Sequence, residues 1–202
     1  MKYGDVLTAL GLSLSGEQQR ALHSFAELLR ERAVPAGFVA ASDLPRLEER
    51  HVLDSLRAGQ AFTPSDATAY DLGSGAGLPG IPLAVAIPGC RFVLCEPHRL
   101  RVAFLELAVE RLGLRNVDVR AGRAEELPPG ADVITARAFA PLARAWDATR
   151  DLLRPGGRLV YFAGAGLEDP EGEARRLAGD EAEVTLTGLL ATSPPLVMMT
   201  RT

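Results

Sequence analysis

From Thr68 to Phe162 short apolar runs alternate with longer amphipathic ones, and this alternation limits what the chain can fold into more than any other feature. The spacing predicts strands at 69–72, 91–95, 116–120, 132–136 and 158–162. Helices are expected between them at 81–87, 98–112, 123–127 and 141–153, with an Arg154-Pro155-Gly156-Gly157 turn before the fifth strand. Strands divided by helices demand a parallel sheet with right-handed crossovers. The first unit contains Asp71-Leu-Gly-Ser-Gly-Ala-Gly-Leu-Pro-Gly80, which reads as a strand, a tight glycine turn and a helix start. Glycines there let the backbone take positive φ and let a ligand approach the main chain, while the free N–H groups of the helix start favour a polar or anionic ligand. The glycines alone leave the ligand open. Gly75-x-Gly77-x-x-Gly80 satisfies the dinucleotide pattern, and Gly73-x-Gly75-x-Gly77 after Asp71 satisfies the S-adenosylmethionine pattern.

The ends of the chain read differently. Glu183–Thr187 and Leu196–Thr200 are expected strands with no helix between them, hence a terminal antiparallel hairpin. Ahead of the sheet, helices are expected over 5–10, from Ser15 onward and over 44–56. Ser15-Gly-Glu-Gln18 has capping-box form, Leu22, Phe25 and Leu29 follow at helical spacing, and Pro35-Ala-Gly37 ends that helix. In the segment 44–56, His51 and Asp54 fall on one helix face and are able to touch. The expected architecture is α/β, with a mostly parallel seven-stranded sheet and a C-terminal antiparallel hairpin. Residues 1–62 form a small N-terminal helical appendage and 63–202 a Rossmann-like core.

With 47% hydrophobic and 24% charged residues the chain is neither disordered nor fibrous, and its 202 residues fit one α/β domain plus the appendage. Cys90 and Cys95 would sit on opposite faces of a strand, roughly 16 Å apart, too far for a disulfide or a shared metal. They are expected to be inert core thiols. Neither a leader nor a membrane-length apolar run is evident, so a cytoplasmic enzyme is expected. The net charge of -4 argues against a strongly basic nucleic-acid binder. Yet Arg91–Arg123 carries seven arginines against four acids, either a local basic face or a solvated helix face with paired charges.

A ligand lying across such a sheet contacts the carboxyl ends of its strands. After the second strand comes Glu96, placed to accept ribose hydroxyls. After the third comes Arg123-Ala-Glu125, placed near an adenine edge, and after the fourth Ala136-Arg137-Ala-Phe139, facing the acceptor. Nicotinamide enzymes share the glycine loop and the carboxylate after the second strand. The Pro-Gly-Gly turn, the terminal hairpin and the lack of a second βαβαβ half favour S-adenosylmethionine.

Arg50-His51-Val-Leu-Asp54-Ser-Leu56, Asp71 through Gly-Ile-Pro82, Arg123-Ala-Glu125 and Ala136-Arg-Ala-Phe139 resemble, in order and spacing, the RsmG family, also called glucose-inhibited division protein B. The resemblance covers roughly residues 14–165. It implies an S-adenosylmethionine-dependent methyltransferase acting on N7 of a guanine in the 530 loop of 16S rRNA, on free rRNA or the 30S subunit, as a monomer with neither metal nor membrane. It also implies cofactor contacts at Gly73, Leu78, Ala124, Glu125 and Arg137. With the loop residues Asp71, Ser74, Gly75 and Gly77, and with Glu96, these form the candidate cofactor-binding set. Arg137 is also the candidate catalytic residue, in a positioning role, because guanine N7 has a lone pair and no proton to remove. The chain departs from the family pattern at Arg32-Ala33, at Gly37-Phe38-Val39, at Leu100, where a lysine is usual, and at Ala163-Gly164, where members have Lys-Gly. Two alternatives stay open: a divergent methyltransferase of this fold acting on a small molecule or another RNA, and a cofactor-sensing module without catalysis.

Overall fold

The computed structural model describes residues 7–8, 10–164, 166–187, 193–194 and 196–202. Helix α1, Gly16–Leu28, begins at the expected capping box: the Gln18 amide donates to Ser15 Oγ at 3.2 Å and the Ser15 amide to Gln18 Oε1 at 2.8 Å. A π-helical turn, Leu29–Ala33, prolongs it. Of the helix expected over 5–10, Leu7 and Thr8 are helical, while 5, 6 and 9 lie outside the described residues. The expected single helix over 44–56 is instead a succession of 3-10 (Ala41–Arg46), π (Glu48–Leu53), α (Asp54–Leu56) and 3-10 (Arg57–Ala61) turns. Two residues account for part of this irregularity. Pro45 lacks the N–H a regular helix would use, and the Ser55 hydroxyl donates to the His51 carbonyl at 2.6 Å, competing with the backbone ladder.

The strands are β1 (Thr68–Leu72), β2 (Arg91–Glu96), β3 (Val117–Ala121), β4 (Ala131–Arg137), β5 (Leu153–Phe162), β6 (Ala182–Thr187) and β7 (Leu196–Arg201). They form one seven-stranded sheet in the order β3-β2-β1-β4-β5-β7-β6, and only the β5–β7 and β7–β6 pairs are antiparallel. The connecting helices are α2 (Gly80–Ala86), α3 (Arg99–Leu112), α4 (Leu142–Thr149) and α5 (Pro170–Ala178). Two expectations need correction. The helix expected over 141–153 stops at Thr149. The expected Arg154–Gly157 turn is a bulged start of β5, where the Gly157 Cα approaches backbone so closely that a Cβ would lie 2.8 Å from Ala131 O and Arg154 O. Helix α5 was not anticipated, although Asp169 caps it by accepting the Gly172 amide at 2.9 Å and Pro170 opens it, a recognisable start signal.

The parallel pairs β1–β2 and β1–β4 leave β1 in opposite directions, which makes the gap between the carboxyl ends of β1 and β4 the switch point of the sheet. On one face Leu22, Phe25, Leu29, Leu47, Val52 and Leu56 join Ile81, Leu94 and Leu105 in one apolar cluster, so the N-terminal helices share a core with α2 and α3. The other face packs Tyr70, Ile134, Trp146, Leu159 and Met199 together. Cys90 and Cys95 lie in different clusters, both free and buried. Burial pushes their thiols up to about 12 and about 11, so both stay protonated and unreactive at neutral pH. No helix among the described residues is long and apolar enough to cross a membrane.

Candidate functional site

Where β1 ends, the Gly73 and Ser74 amides donate to the Cys95 carbonyl at 2.9 and 3.1 Å, which staples the glycine loop to the end of β2. Gly73, Gly75 and Gly77 adopt φ of +63°, +55° and +82°, the left-handed region that side chains avoid. The three are not equivalent. A Cβ at Gly77 would come within 2.5 Å of Ile81 Cδ1, and one at Gly73 within 2.8 Å of Phe139 Cδ2. One at Gly75 would meet only Gly73 O at 3.6 Å. The first is closed by the core and the second by an aromatic ring, while the third faces open space. Leu78 is half-buried and packs on the core cluster below the loop.

Two buried carboxylates set the loop's shape. Asp71 accepts the Thr135 hydroxyl at 2.7 Å on Oδ1 and the Gly80 amide at 3.2 Å on Oδ2, tying β1 to β4 and to the first turn of α2. Burial raises its pKa to about 6 against the opposing effect of these hydrogen bonds. Its carboxylate therefore serves the protein interior. Glu96, only 1% exposed, accepts the Gly75 amide at 2.9 Å on Oε2. On Oε1 it accepts the His98 amide at 2.9 Å, and His98 Nδ1 lies 2.7 Å away. Arg101 adds a more distant charge at 3.9 Å. After β3, Ala124–Glu126 forms a 3-10 turn in which Ala124 is buried and Glu125 exposed, and the Gly122 amide reaches the Glu96 carbonyl at 3.2 Å. Loop, Glu96 and the 124–125 turn thus lie side by side at the carboxyl ends of adjacent strands.

Arg137 ends β4, and its guanidinium is taken up by the segment before the sheet. Its guanidinium donates to the carbonyls of Arg50 and His51 at 3.0 and 3.4 Å and to Ser55 Oγ at 3.3 Å, and lies 3.4 Å from Asp54 Oδ2. The ring of Phe162 lies beneath it, 5.5 Å from its centroid. His51 pairs with Asp43 at 3.0 Å and Asp54 with Arg57 at 2.7 Å, in place of the His51–Asp54 contact anticipated from their spacing. Burial first, then the Arg137 charge, holds the His51 imidazole below its ordinary pKa. Asp43 and Ser55 belong to this network, Thr135 to that of Asp71 and His98 to that of Glu96, and none of the four is among the site residues expected from sequence. Thr135 faces Asp71 only because β4 pairs with β1 in that register.

These residues form a glycine cradle, a buried acceptor beside it and a clamp that brings the 50–55 turn against the end of β4. A separate groove of about 560 Å³, lined by Gln18, Val85, Leu112 and Asn116 among others, lies elsewhere, where α2 and α3 end.

A protein-family model described as GidB, rRNA small subunit methyltransferase G, matches residues 18–187. The chain is 39% identical over 206 residues to ribosomal RNA small subunit methyltransferase G of Salinispora arenicola, across 96% of this chain and 85% of that protein. It is 40% identical over 181 residues to the protein of the same name from Thermobifida fusca, across 87% of this chain and 76% of the relative. Among solved structures it is similar to the SAH-bound methyltransferase PaMTH1 of Podospora anserina, with TM-score 0.62 and 15% identity over 90% of this chain and 88% of that one. A methyltransferase from Geobacter sulfurreducens gives TM-score 0.60 and 16% identity over 90% and 88% of the two chains. At such identity these two likenesses establish the fold.

Proposed function

The chain belongs to the GidB family of rRNA small subunit methyltransferases, and from that membership we propose that it methylates N7 of a guanine in the 530 loop of 16S rRNA, with S-adenosylmethionine as donor. The observation that carries the cofactor half is the pairing of an open, left-handed Gly75 with the buried carboxylate of Glu96. The residues fit the group: the main chain at Gly75 can be approached without a side chain intervening, and Glu96 offers the acceptor that ribose hydroxyls need. The donor supplies an electrophilic methyl on a sulfonium.

The protein's own residues supply position. Gly73, Gly75 and Leu78 would hold the ligand against the loop, with Ser74 and Gly77 shaping that loop from its buried side; Glu96 would take the ribose, and the Ala124–Glu125 turn would border the adenine. Asp71 acts one step removed, fixing the loop through Thr135 and the Gly80 amide. Arg137 is a positioning residue that locks the 50–55 turn of the appendage (1–62) onto the core (63–202) beside the acceptor. Purine N7 carries an in-plane lone pair and no proton, so the reaction asks for no general base and no metal. Orientation and exclusion of water then dominate the rate. In an A-form duplex N7 lies at the bottom of a deep, narrow groove, so the base must be presented from a single-stranded or splayed segment. A ribosomal RNA substrate supports reading the enzyme as cytoplasmic. Labelled S-adenosylmethionine incubated with 30S subunits or 16S rRNA lacking the modification, followed by mapping of the modified base, tests the proposal. Label at N7 of a 530-loop guanine supports it, and no label in any RNA fraction refutes it.

A further inference from the structure

We propose that Phe139 is the platform on which the target base stacks when it enters the site; the proposal rests on the RNA methyltransferase reading above. Phe139 stands three residues beyond Ala136, which pairs with Leu72, so its ring reaches the switch point of the sheet. It lies directly on the glycine loop, where its Cδ2 is the atom that would collide with a Cβ at Gly73. The backbone that aims it is unusual. Ala138 adopts φ +50°, the only positive φ of a non-glycine residue among those described. For a residue with a Cβ this conformation is costly, and such strain persists only where the surroundings impose it.

Here the surroundings do so from both sides. Arg137 is held by the 50–55 turn, and the Ala140 carbonyl accepts the Tyr161 hydroxyl at 3.0 Å. Between these two anchored residues Ala138 is left-handed, and Phe139 lies over the loop. Most other described aromatic side chains are buried in the core. Besides Phe139, only Phe38 and Phe62 keep partial exposure, and each is taken up by a second ring, Phe104 at 5.9 Å and Phe92 at 5.8 Å respectively. Phe139 rests on the Tyr70–Trp146 cluster, pairs with no second ring among the described residues and keeps partial exposure beside the glycine loop.

A purine drawn out of its stack loses its neighbours' faces, and an aromatic side chain replaces one of them without regard to hydrogen-bonding edges. Stacking leaves N7, at the rim of the base, free to face the donor. An arginine reading the Hoogsteen edge through N7 would instead block the nucleophile. The ring therefore suits this acceptor better than a guanidinium would, in keeping with the Arg137 guanidinium being taken up by the 50–55 turn.

The test compares wild type with Phe139→Leu and Phe139→Tyr in three assays: S-adenosylmethionine affinity by calorimetry, thermal unfolding, and methyl transfer to unmodified 30S subunits. The Leu variant should lose roughly ten- to a hundredfold in kcat/KM for RNA, the range set by one lost base–aromatic stack. Its cofactor affinity should stay within about twofold, and the Tyr variant should restore most of the activity. Leu matching wild type in RNA methylation would overturn the proposal. So would a Leu variant whose loss appears entirely in cofactor affinity, since the ring would then cover the donor only. If Leu fails to fold, Tyr and Phe139→Trp carry the comparison, and loss of activity in both despite normal cofactor binding counts against stacking. Wild type transferring no methyl to rRNA would refute the functional reading itself, an outcome visible before any variant is made.

Discussion

The amide of Gly75 donates to the carboxylate of Glu96 at 2.9 Å across 21 residues of sequence, so the middle of the glycine loop and the end of β2 are one hydrogen-bonded unit. Glu96 also holds the His98 amide, and it is almost fully removed from water. The residue that would receive a ribose is thus the residue that shapes the cradle, and cofactor binding and loop geometry should fail together.

Glu96→Ala should accordingly weaken S-adenosylmethionine binding by about 1–3 kcal/mol, from lost acceptor hydrogen bonds and a loosened loop. Isothermal titration calorimetry measures this directly. Wild-type affinity in the variant would remove Glu96 from the ribose site.

The glycines should separate by what their Cβ meets. Gly75→Val should abolish cofactor binding while leaving most of the fold, at a cost of about 1–2 kcal/mol for left-handed backbone. Gly80→Ala should damage the fold itself, by about 1–3 kcal/mol or more, because the new methyl would run into Leu94 and lie 2.7 Å from Asp71 Oδ2. Urea unfolding beside calorimetry sorts the two, and a Gly75→Val protein that binds cofactor normally would refute the placement of the ligand.

Arg137→Lys keeps the charge but loses the planar fork that reaches Asp54, Ser55 and two carbonyls at once. It should cost about 1–3 kcal/mol of stability and lower kcat/KM for RNA more than affinity for S-adenosylmethionine. An equal fall in both would mean that Arg137 touches the cofactor instead of positioning the 50–55 turn.

Asp71 gives a pH signature. Its carboxyl ionises near 3.8 in ordinary surroundings and at about 6 in the fold. Between those values the folded state keeps a proton that the unfolded chain has released. Stability is therefore highest below the lower value and falls as pH rises through the window, by up to about 3 kcal/mol from this residue. Asp71→Asn cannot titrate, so the difference in unfolding free energy between wild type and variant should change between pH 4 and 6.5. Parallel profiles would mean that Asp71 is not held protonated.

The parallel core was legible because its signals are local. Period and length gave β1 to β5, and the glycine loop lay where an apolar strand meets a helix start. What the sequence hid depends on pairing across the sheet or on competing hydrogen bonds. Thr135 becomes the partner of Asp71 only through the β1–β4 register, and the segment from Ala41 to Ala61 is irregular in part because Pro45 and Ser55 disturb the backbone ladder. Spacing placed His51 and Asp54 on one face but could not show that Asp43 would take the first and that Arg57 and Arg137 would take the second. Helix α5 was missed for a different reason: its Asp169-Pro170 start precedes a short, highly charged stretch with few apolar residues to reveal a period.

The reaction we propose is delivery of a methyl group from this cradle to guanine N7 in small-subunit rRNA. The most direct measurement is transfer from labelled S-adenosylmethionine to 30S subunits or 16S rRNA lacking the modification, with reductive cleavage and primer extension locating the product. The expected result is a single 7-methylguanine in the 530 loop, absent with Gly75→Val protein. Label at a different base, or on no RNA at all, would contradict it.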